Sequence, residues 1–255
     1  CSFYFYIYTI IKIMDKLEIL NDLAAVFRWT ARLNMHEAVA NHFSVSAPDS
    51  SEDFYVNGSG MHFSTIKSSD LVLIEQSKIN ELKDKPELVD PTALYIHGSI
   101  HKKVPNAKCI LHVHSKYATA LATLEDPILP PIDQNSMRFF NRVGVYSDFG
   151  GMGFEEEAIK MANKIGNKKV LLMSNHGILT TGQTVAEAFD ELFYFEKACE
   201  TYITALSTNK KLKIVSDEIA EKTAQEWEDS SPSHQNLHLK AIRSILDSED
   251  PSYKN

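Results

Sequence analysis

Apolar and polar positions alternate along this chain in two rhythms, short strand-like runs and longer helical stripes. Leu17, Leu20, Leu23, Ala24 and Phe27 recur at three- and four-residue intervals, which predicts an amphipathic helix over 15–33. A second short helix is expected at 36–42. HFSVSA (42–47) and DFYVNG (53–58) read as strands joined by the turn-rich PDSS, and LVLIEQ (71–76) is a third apolar run. Asp90-Pro91 has the form of an N-cap followed by proline at the first helical position, with the helix running to about Lys103. AKCILHVHS (107–115) is β-rich, and Ser115 is placed to cap a helix over KYATALATL. The proline-rich stretch 125–151 reads as a long irregular segment with a strand at RVGVYS, and loops of such length tend to be functional. EEEAIKMANKIG (155–166) carries acids in its first turn and Gly166 past its end, both marks of a helix. KKVLLMSNHG (168–177) is a short buried strand ending in a turn. Thr184 to Glu187 form a capping box, followed by a stripe of Phe189, Leu192, Phe193, Cys199, Ile203 and Leu206 to about Ser207. No internal repeat is visible, and the interspersed elements give an α/β or α+β class with one core domain.

Composition narrows the choice. With 255 residues, 44% apolar and 24% charged, the chain has the make-up of a soluble globule, not of a disordered, collagenous or polytopic membrane protein. Lys and Arg number 26 against 34 Asp and Glu, a net charge of −8, which argues against nucleic acid as a partner. The apolar run Phe3–Ile11 is too short to span a bilayer, so no membrane partner is expected, and a short anchoring segment is the lesser alternative for it. Met14 opens a conventional cytosolic start, MDKLEIL, so residues 1–13 are read as upstream of the true start. Residues 14–208 would then form the domain, and 209–255 a polar tail wrapped on it, with a helix over 238–248. Cys1, Cys109 and Cys199 form no CxxC pattern and are expected to be reduced thiols of a cytoplasmic protein.

The chemistry gathers around histidine. His112 and His114 flank Val113 in a strand, so period two turns both imidazoles to one face and Val113 to the core. The strand is apolar up to this pair and polar after it, which places the pair at the strand's C-terminal end, where open-sheet ligand sites gather. His176 closes another apolar run, beside Gly177, which permits a tight turn or a close backbone approach. Three histidines with an open fourth position form the catalytic, not the structural, pattern for zinc, and nitrogen ligands equally admit iron, manganese, cobalt or nickel. His97 and His101 stand i, i+4 on the 91–103 helix and share a face, but Gly98 occupies the position of the glutamate in an HExxH metal helix, so these two are expected near the pocket or in the core.

These residues carry a resemblance. LHVHSKYATAL (111–121) and LLMSNHGILTTGQTVAEAFDELFYFEKACETYITAL (171–206) resemble the class II aldolase/adducin family, as do LNMHEAVANHFSVS (33–46) and NGSGMHFSTIKSSDLVLIE (57–75). IHGSIH (96–101), QNSMRFFNRV (134–143) and YSDFGG (146–151) are similar to its adducin-like branch. The resemblance spans residues 16–207. It implies a three-layer α/β/α fold around a mostly antiparallel sheet, and a homotetramer with active sites at subunit interfaces. It also implies one divalent metal per subunit, zinc first, on His112, His114 and His176. Asn41, Ser59, Gly60 and Thr92 match the phosphate-binding positions in part. Two departures stand out: Ala93 occupies the position of the aldolases' catalytic glutamate, and Gln134 that of a tyrosine lent by a neighbouring subunit. Tyr146, Asp148, His97 and His101 are then the candidate proton carriers, with Gln134 and Arg138 as substrate contacts and Arg138 the anion clamp. The function expected is a metal-dependent lyase acting through an enediolate on a small hydroxy or keto acid or sugar derivative. A non-haem iron oxygenase and a non-catalytic adducin-like scaffold are the alternatives.

Overall fold

A computed structural model describes residues 2–50 and 52–255. Seven strands form one sheet in the order β3-β2-β1-β4-β7-β6-β5. They are β1 (His42–Ser46), β2 (Phe54–Asn57), β3 (Leu71–Ile74), β4 (Cys109–Val113), β5 (Val143–Tyr146), β6 (Val170–Met173) and β7 (Gly177–Gly182). Every pairing is antiparallel except β5 with β6. On one face lie α1 (Ser2–Arg32), α4 (Lys116–Ala122) and α7 (Val185–Leu206). Phe27, Phe43, Leu111, Val113, Ile178, Phe189 and Leu192 fill the space between them and the sheet. On the other face α3 (Pro91–Lys103) and α6 (Glu155–Ile165) cover Ile110, Leu171 and Leu179 with Ile96, Ile100 and Met161. The three-layer α/β/α arrangement with a mostly antiparallel sheet is therefore present.

Helix ends follow local chemistry. Asp90 accepts the Thr92 N–H at 2.8 Å, with Pro91 at the first helical position of α3. Ser115 occupies the N-cap position of α4 but does not cap it. The buried carboxylate of Glu196, reaching across from α7, accepts the N–H groups of Tyr117 and Ala118, both at 2.9 Å, and the Ser115 hydroxyl at 2.6 Å. At the start of α7, Thr184 accepts the Glu187 N–H, while the Glu187 carboxylate reaches one residue further, to the Gln183 N–H.

Several elements differ from the sequence expectation. Residues 36–41 form turns, not a helix, because Asn34 and Ala38 take positive φ and His42 already begins β1. A short helix, α5 (Gln134–Arg138), interrupts the long irregular stretch, with Asp133 capping it. β7 is an additional strand. A four-residue helix, α2 (Ile79–Leu82), precedes α3. The final helix, α8 (Asp217–Glu249), is 33 residues long and contains Pro232, far beyond the expected 238–248. It packs on α1, α5 and α7. Cys109 and Cys199 are free and buried, and burial raises both thiols well above their ordinary range. Cys1 lies outside the described residues. Among those residues no helix is long and apolar enough to cross a membrane.

Candidate metal centre

His112 and His114 reach the same edge of the sheet because β4 ends there, and a hairpin brings His176 to meet them. Met173 of β6 pairs with Gly177 of β7, leaving the three-residue loop Ser174-Asn175-His176. Asn175 takes φ 55°, and the His176 N–H donates to the Met173 carbonyl at 3.1 Å, which turns the imidazole toward β4. Gly177 is required for close approach: a Cβ there would stand 2.7 Å from the Val113 carbonyl oxygen and 2.9 Å from the His114 ring. Of the two roles its sequence context permits, close approach is the one observed.

The three rings lie with centroids 4.8–4.9 Å apart, and one nitrogen from each falls within 4.8 Å of the others. The partners of two rings settle their tautomers. The Ile178 carbonyl accepts from Nδ1 of His112 at 2.9 Å, and Oε2 of Glu37 accepts from Nδ1 of His114 at 2.6 Å. In the neutral rings both protons are thus on Nδ1, and the two Nε2 atoms face one another at 3.1 Å. Two lone pairs at that distance repel unless a cation lies between them. Two nitrogens bound tetrahedrally to one zinc at roughly 2.0–2.1 Å would stand about 3.3 Å apart, so the donor set fits a metal ion. The Glu37–His114 contact is the carboxylate–histidine arrangement that orients metal-bound imidazoles. His176 keeps its buried Nδ1 without a hydrogen-bond partner, and Phe149 covers its ring with centroids 4.1 Å apart. Burial, followed by the neighbouring histidines, holds His176 down to about 3 and His112 well below its ordinary value, so both remain neutral donors near pH 7.

The sequence-predicted residues distribute unevenly around this centre. Asn41 lies beside it: its Oδ1 accepts the Glu37 N–H at 2.6 Å, while its buried Nδ2 has no partner. Ser59 and Gly60 form the turn after β2, and Thr92 opens α3, its hydroxyl donating to Asp90. Ala93 is buried in the first turn of α3 within an apolar cluster containing Phe54, Val56 and Leu94. His97 and His101 are fully interior, and His97 approaches the centre only through His42, 2.7 Å away. The Tyr146 hydroxyl donates to Glu157 at 2.7 Å, and burial with that carboxylate pushes it up to about 12. Asp148 is exposed in the turn beyond β5, and Gln134 is exposed at the start of α5. Arg138 is set apart from the centre, 4% exposed, its guanidinium 2.8 Å from Asp190 and 2.9 Å from Glu191 on α7. Its nearest partners are carboxylates and the rings of Tyr194 and Trp227, and it lines a cavity of about 210 Å³ with Arg142, Lys168 and Lys169. Two residues went unanticipated. Glu37 is 77 positions from His114, and nothing in its local pattern marks it. His42 faces His112 across the β1–β4 ladder with rings 4.9 Å apart, and only the strand register reveals it.

The sequence profile described as the Class II Aldolase and Adducin N-terminal domain matches residues 21–203. The chain belongs to the class II aldolase and adducin family. Among its relatives are the Meiotically up-regulated gene 14 protein of Schizosaccharomyces pombe, 33% identical over 75% of this chain and 74% of that one. The decarboxylase NovR of Streptomyces niveus is 25% identical over 83% and 81%. A solved aldolase II superfamily protein from Pseudomonas syringae superposes with a TM-score of 0.81 at 28% identity, covering 94% of this chain and 96% of that one. The class II aldolase profile ends at Leu206's helix, α7, leaving α8 as an addition to the matched region.

Proposed function

We propose that the chain is a divalent-metal-dependent lyase, acting on a small hydroxy or keto acid or a sugar derivative. The observation that carries this reading is the pair of Nε2 lone pairs 3.1 Å apart, each tautomer held by a partner on the opposite ring nitrogen. His112, His114 and His176 would hold the ion, zinc in the first instance. A divalent ion bound there supplies Lewis-acid polarisation of a carbonyl or alkoxide oxygen, the property shared by aldol cleavage, epimerisation and β-keto decarboxylation. That aldolases and a decarboxylase occur in the family supports this range of reactions.

The chain's own residues shape the rest. Glu37 holds His114 in the ligating tautomer. Phe149 shields His176 from water. The unpartnered Nδ2 of buried Asn41 calls for an acceptor, which an anionic or hydroxylated substrate would provide. Ala93 can neither carry a proton nor bind a metal, so the acid–base work falls to other groups. Asp148 is the exposed carboxylate nearest the Phe149 turn, whereas the Tyr146 hydroxyl is engaged by Glu157. We further propose that the subunits assemble as a tetramer around these sites and work in the cytoplasm.

Metal analysis tests the reading. Protein purified without chelators should carry about one divalent ion per chain by mass spectrometry. His112→Ala and His176→Ala should each lose it while remaining folded. Zinc or manganese would direct substrate screening to aldol and decarboxylation substrates. Iron with oxygen uptake would overturn the lyase assignment in favour of an oxygenase. No metal in the wild type after addition of Zn²⁺ or Fe²⁺ would overturn both and leave a scaffold.

A further inference from the structure

Behind the histidine centre runs a single file of buried polar side chains between β1 and α3. His42 Nδ1 lies 2.7 Å from His97 Nε2, and His97 Nδ1 lies 2.5 Å from Ser44 Oγ. Ser44 Oγ in turn stands 2.8 Å from His101 Nε2, and His101 Nδ1 stands 3.2 Å from Ser46 Oγ. The alignment has a geometric origin. Residues 42, 44 and 46 share one face of β1, advancing about 6.6–6.8 Å per pair of residues. His97 and His101 share one face of α3, advancing about 6.0 Å over four residues. The two repeats nearly match, so strand and helix side chains interdigitate. At one end His42 faces His112 across the ladder. At the other, Ser46 is 8% exposed at the end of β1.

We propose that His42, His97, Ser44, His101 and Ser46 form a proton relay connecting the histidine centre to solvent at the far end of β1. In this sense they are positioning residues, acting through His42. The purpose assigned to the relay rests on the lyase reading, but its conduction is a property of the chain alone. Both nitrogens of His97 and His101 are engaged in line, so each ring can accept on one side while donating on the other. When His42 Nε2 takes a proton from the centre, the Nδ1 proton of His42 passes to His97 Nε2. The Nδ1 proton of His97 passes to Ser44 Oγ, the Ser44 hydroxyl proton to His101 Nε2, and the Nδ1 proton of His101 to Ser46 Oγ. The Ser46 hydroxyl proton then leaves to water. Each member gains one proton and loses one, so a single proton crosses and no group changes charge. Passage in the opposite direction restores every tautomer. A lyase that removes a proton from a hydroxyl and later returns one to carbon uses both directions once per turnover.

The burial of the file suits this role. Burial holds His101 down to about 3 and His97 far below its ordinary value, so neither is a charged imidazolium near pH 7. A file that merely packed α3 onto β1 would cost less as apolar residues, because every buried polar atom must be desolvated and re-bonded.

Nitrogen-15 NMR of histidine-labelled protein tests the relay without any substrate, with metal content measured on the same sample. Ring N–H protons of His97 and His101 should exchange with water at least about tenfold faster than the backbone amides of β1 and β4 beside them, and their ring-nitrogen shifts should be averaged between tautomers. Ser44→Ala, a nearly isosteric change, should lock each ring into one tautomer and slow exchange. Ser46→Ala at the rim should slow His101 more than His97, because His97 keeps its route through His42. Fixed single tautomers in the wild type, protected as strongly as the neighbouring amides, would overturn the relay whatever the metal content. Fast, averaged ring protons in a chain that binds no metal would uphold the relay and overturn the lyase reading instead.

Discussion

Two buried polar clusters in this protein use similar chemistry to opposite ends. Around Arg138 opposite charges are matched, although its Nη2 makes no hydrogen bond: Asp190 and Glu191 face the guanidinium, His238 completes Asp190 at 2.9 Å, and Tyr194 and Trp227 stand 5.1 and 5.3 Å from the cation. Around His112 the bonding is incomplete. Two lone pairs face each other, His176 Nδ1 and Asn41 Nδ2 lack partners, and the hydrogen bonds present serve to aim the rings. A charge-matched cluster fastens α5, α7 and α8 together, whereas a cluster of neutral donors without a central charge has room for a cation. Residue type does not separate the two. Arg138 has the chemistry of an anion clamp, yet its carboxylate neighbours already supply the anions.

The comparison breaks most visibly at Arg138. Arg138→Met would leave Asp190 and Glu191 buried without their cation, a situation that typically costs about 3–5 kcal/mol. Urea unfolding should show that loss, while the protein that remains folded should bind as much metal as the wild type. Reduced metal content at unchanged stability would join the two clusters into one site and refute the contrast.

Legibility in the sequence follows the same division between local and distant causes. His112, Val113 and His114 are readable because period two is a property of one strand, and α3 because Asp90 and Pro91 announce it locally. β7 escapes because all six of its residues are buried, so GILTTG shows no alternation. Most of α8 escapes because its exposed, polar residues and Pro232 resemble a tail, although Leu239, Ile242 and Leu246 are buried against the domain. The expected helix at 36–42 fails where two positive φ values turn the chain so that Glu37 meets His114. Glu37, His42 and the partners of Arg138 depend on which strands and helices become neighbours, and no short-range pattern encodes that.

Glu37 sharpens the contrast at intermediate cost. Its side chain is 63% exposed, so it contributes little to the core, yet it fixes the Nδ1 side of the His114 ring. Glu37→Gln should weaken metal binding by roughly 10–100-fold, the range for partners that orient ligating histidines. The unfolding free energy of the metal-free protein should stay within about 0.5 kcal/mol of the wild type, as for other surface substitutions. Competition with a metal-binding dye reads the first quantity and urea unfolding the second. Equal affinity would mean that the Ile178-anchored ring and His176 define the site without help from β1's leading turn.

The smallest effect is a dependence on pH, and its sign follows from His101. Its folded value lies at about 3, below the ordinary 6.5, because burial penalises the charged ring. Below pH 6.5 the unfolded chain therefore takes up a proton that the folded chain refuses. The stability contributed by this histidine is complete above pH 6.5 and declines as the pH falls through the window between 6.5 and 3, by at most about 1.4 kcal/mol per unit. His101→Gln keeps hydrogen-bonding capacity for Ser44 and Ser46 and removes the titration. Its unfolding free energy, measured at pH 7.5, 6 and 5, should fall less steeply than that of the wild type, with the two curves converging toward acid by about 2 kcal/mol at pH 5. Parallel curves would show that His101 gains its proton without leaving the fold. The buried file between β1 and α3 would then be open to charge, and it would resemble the charge-matched Arg138 cluster in holding ions instead of excluding them.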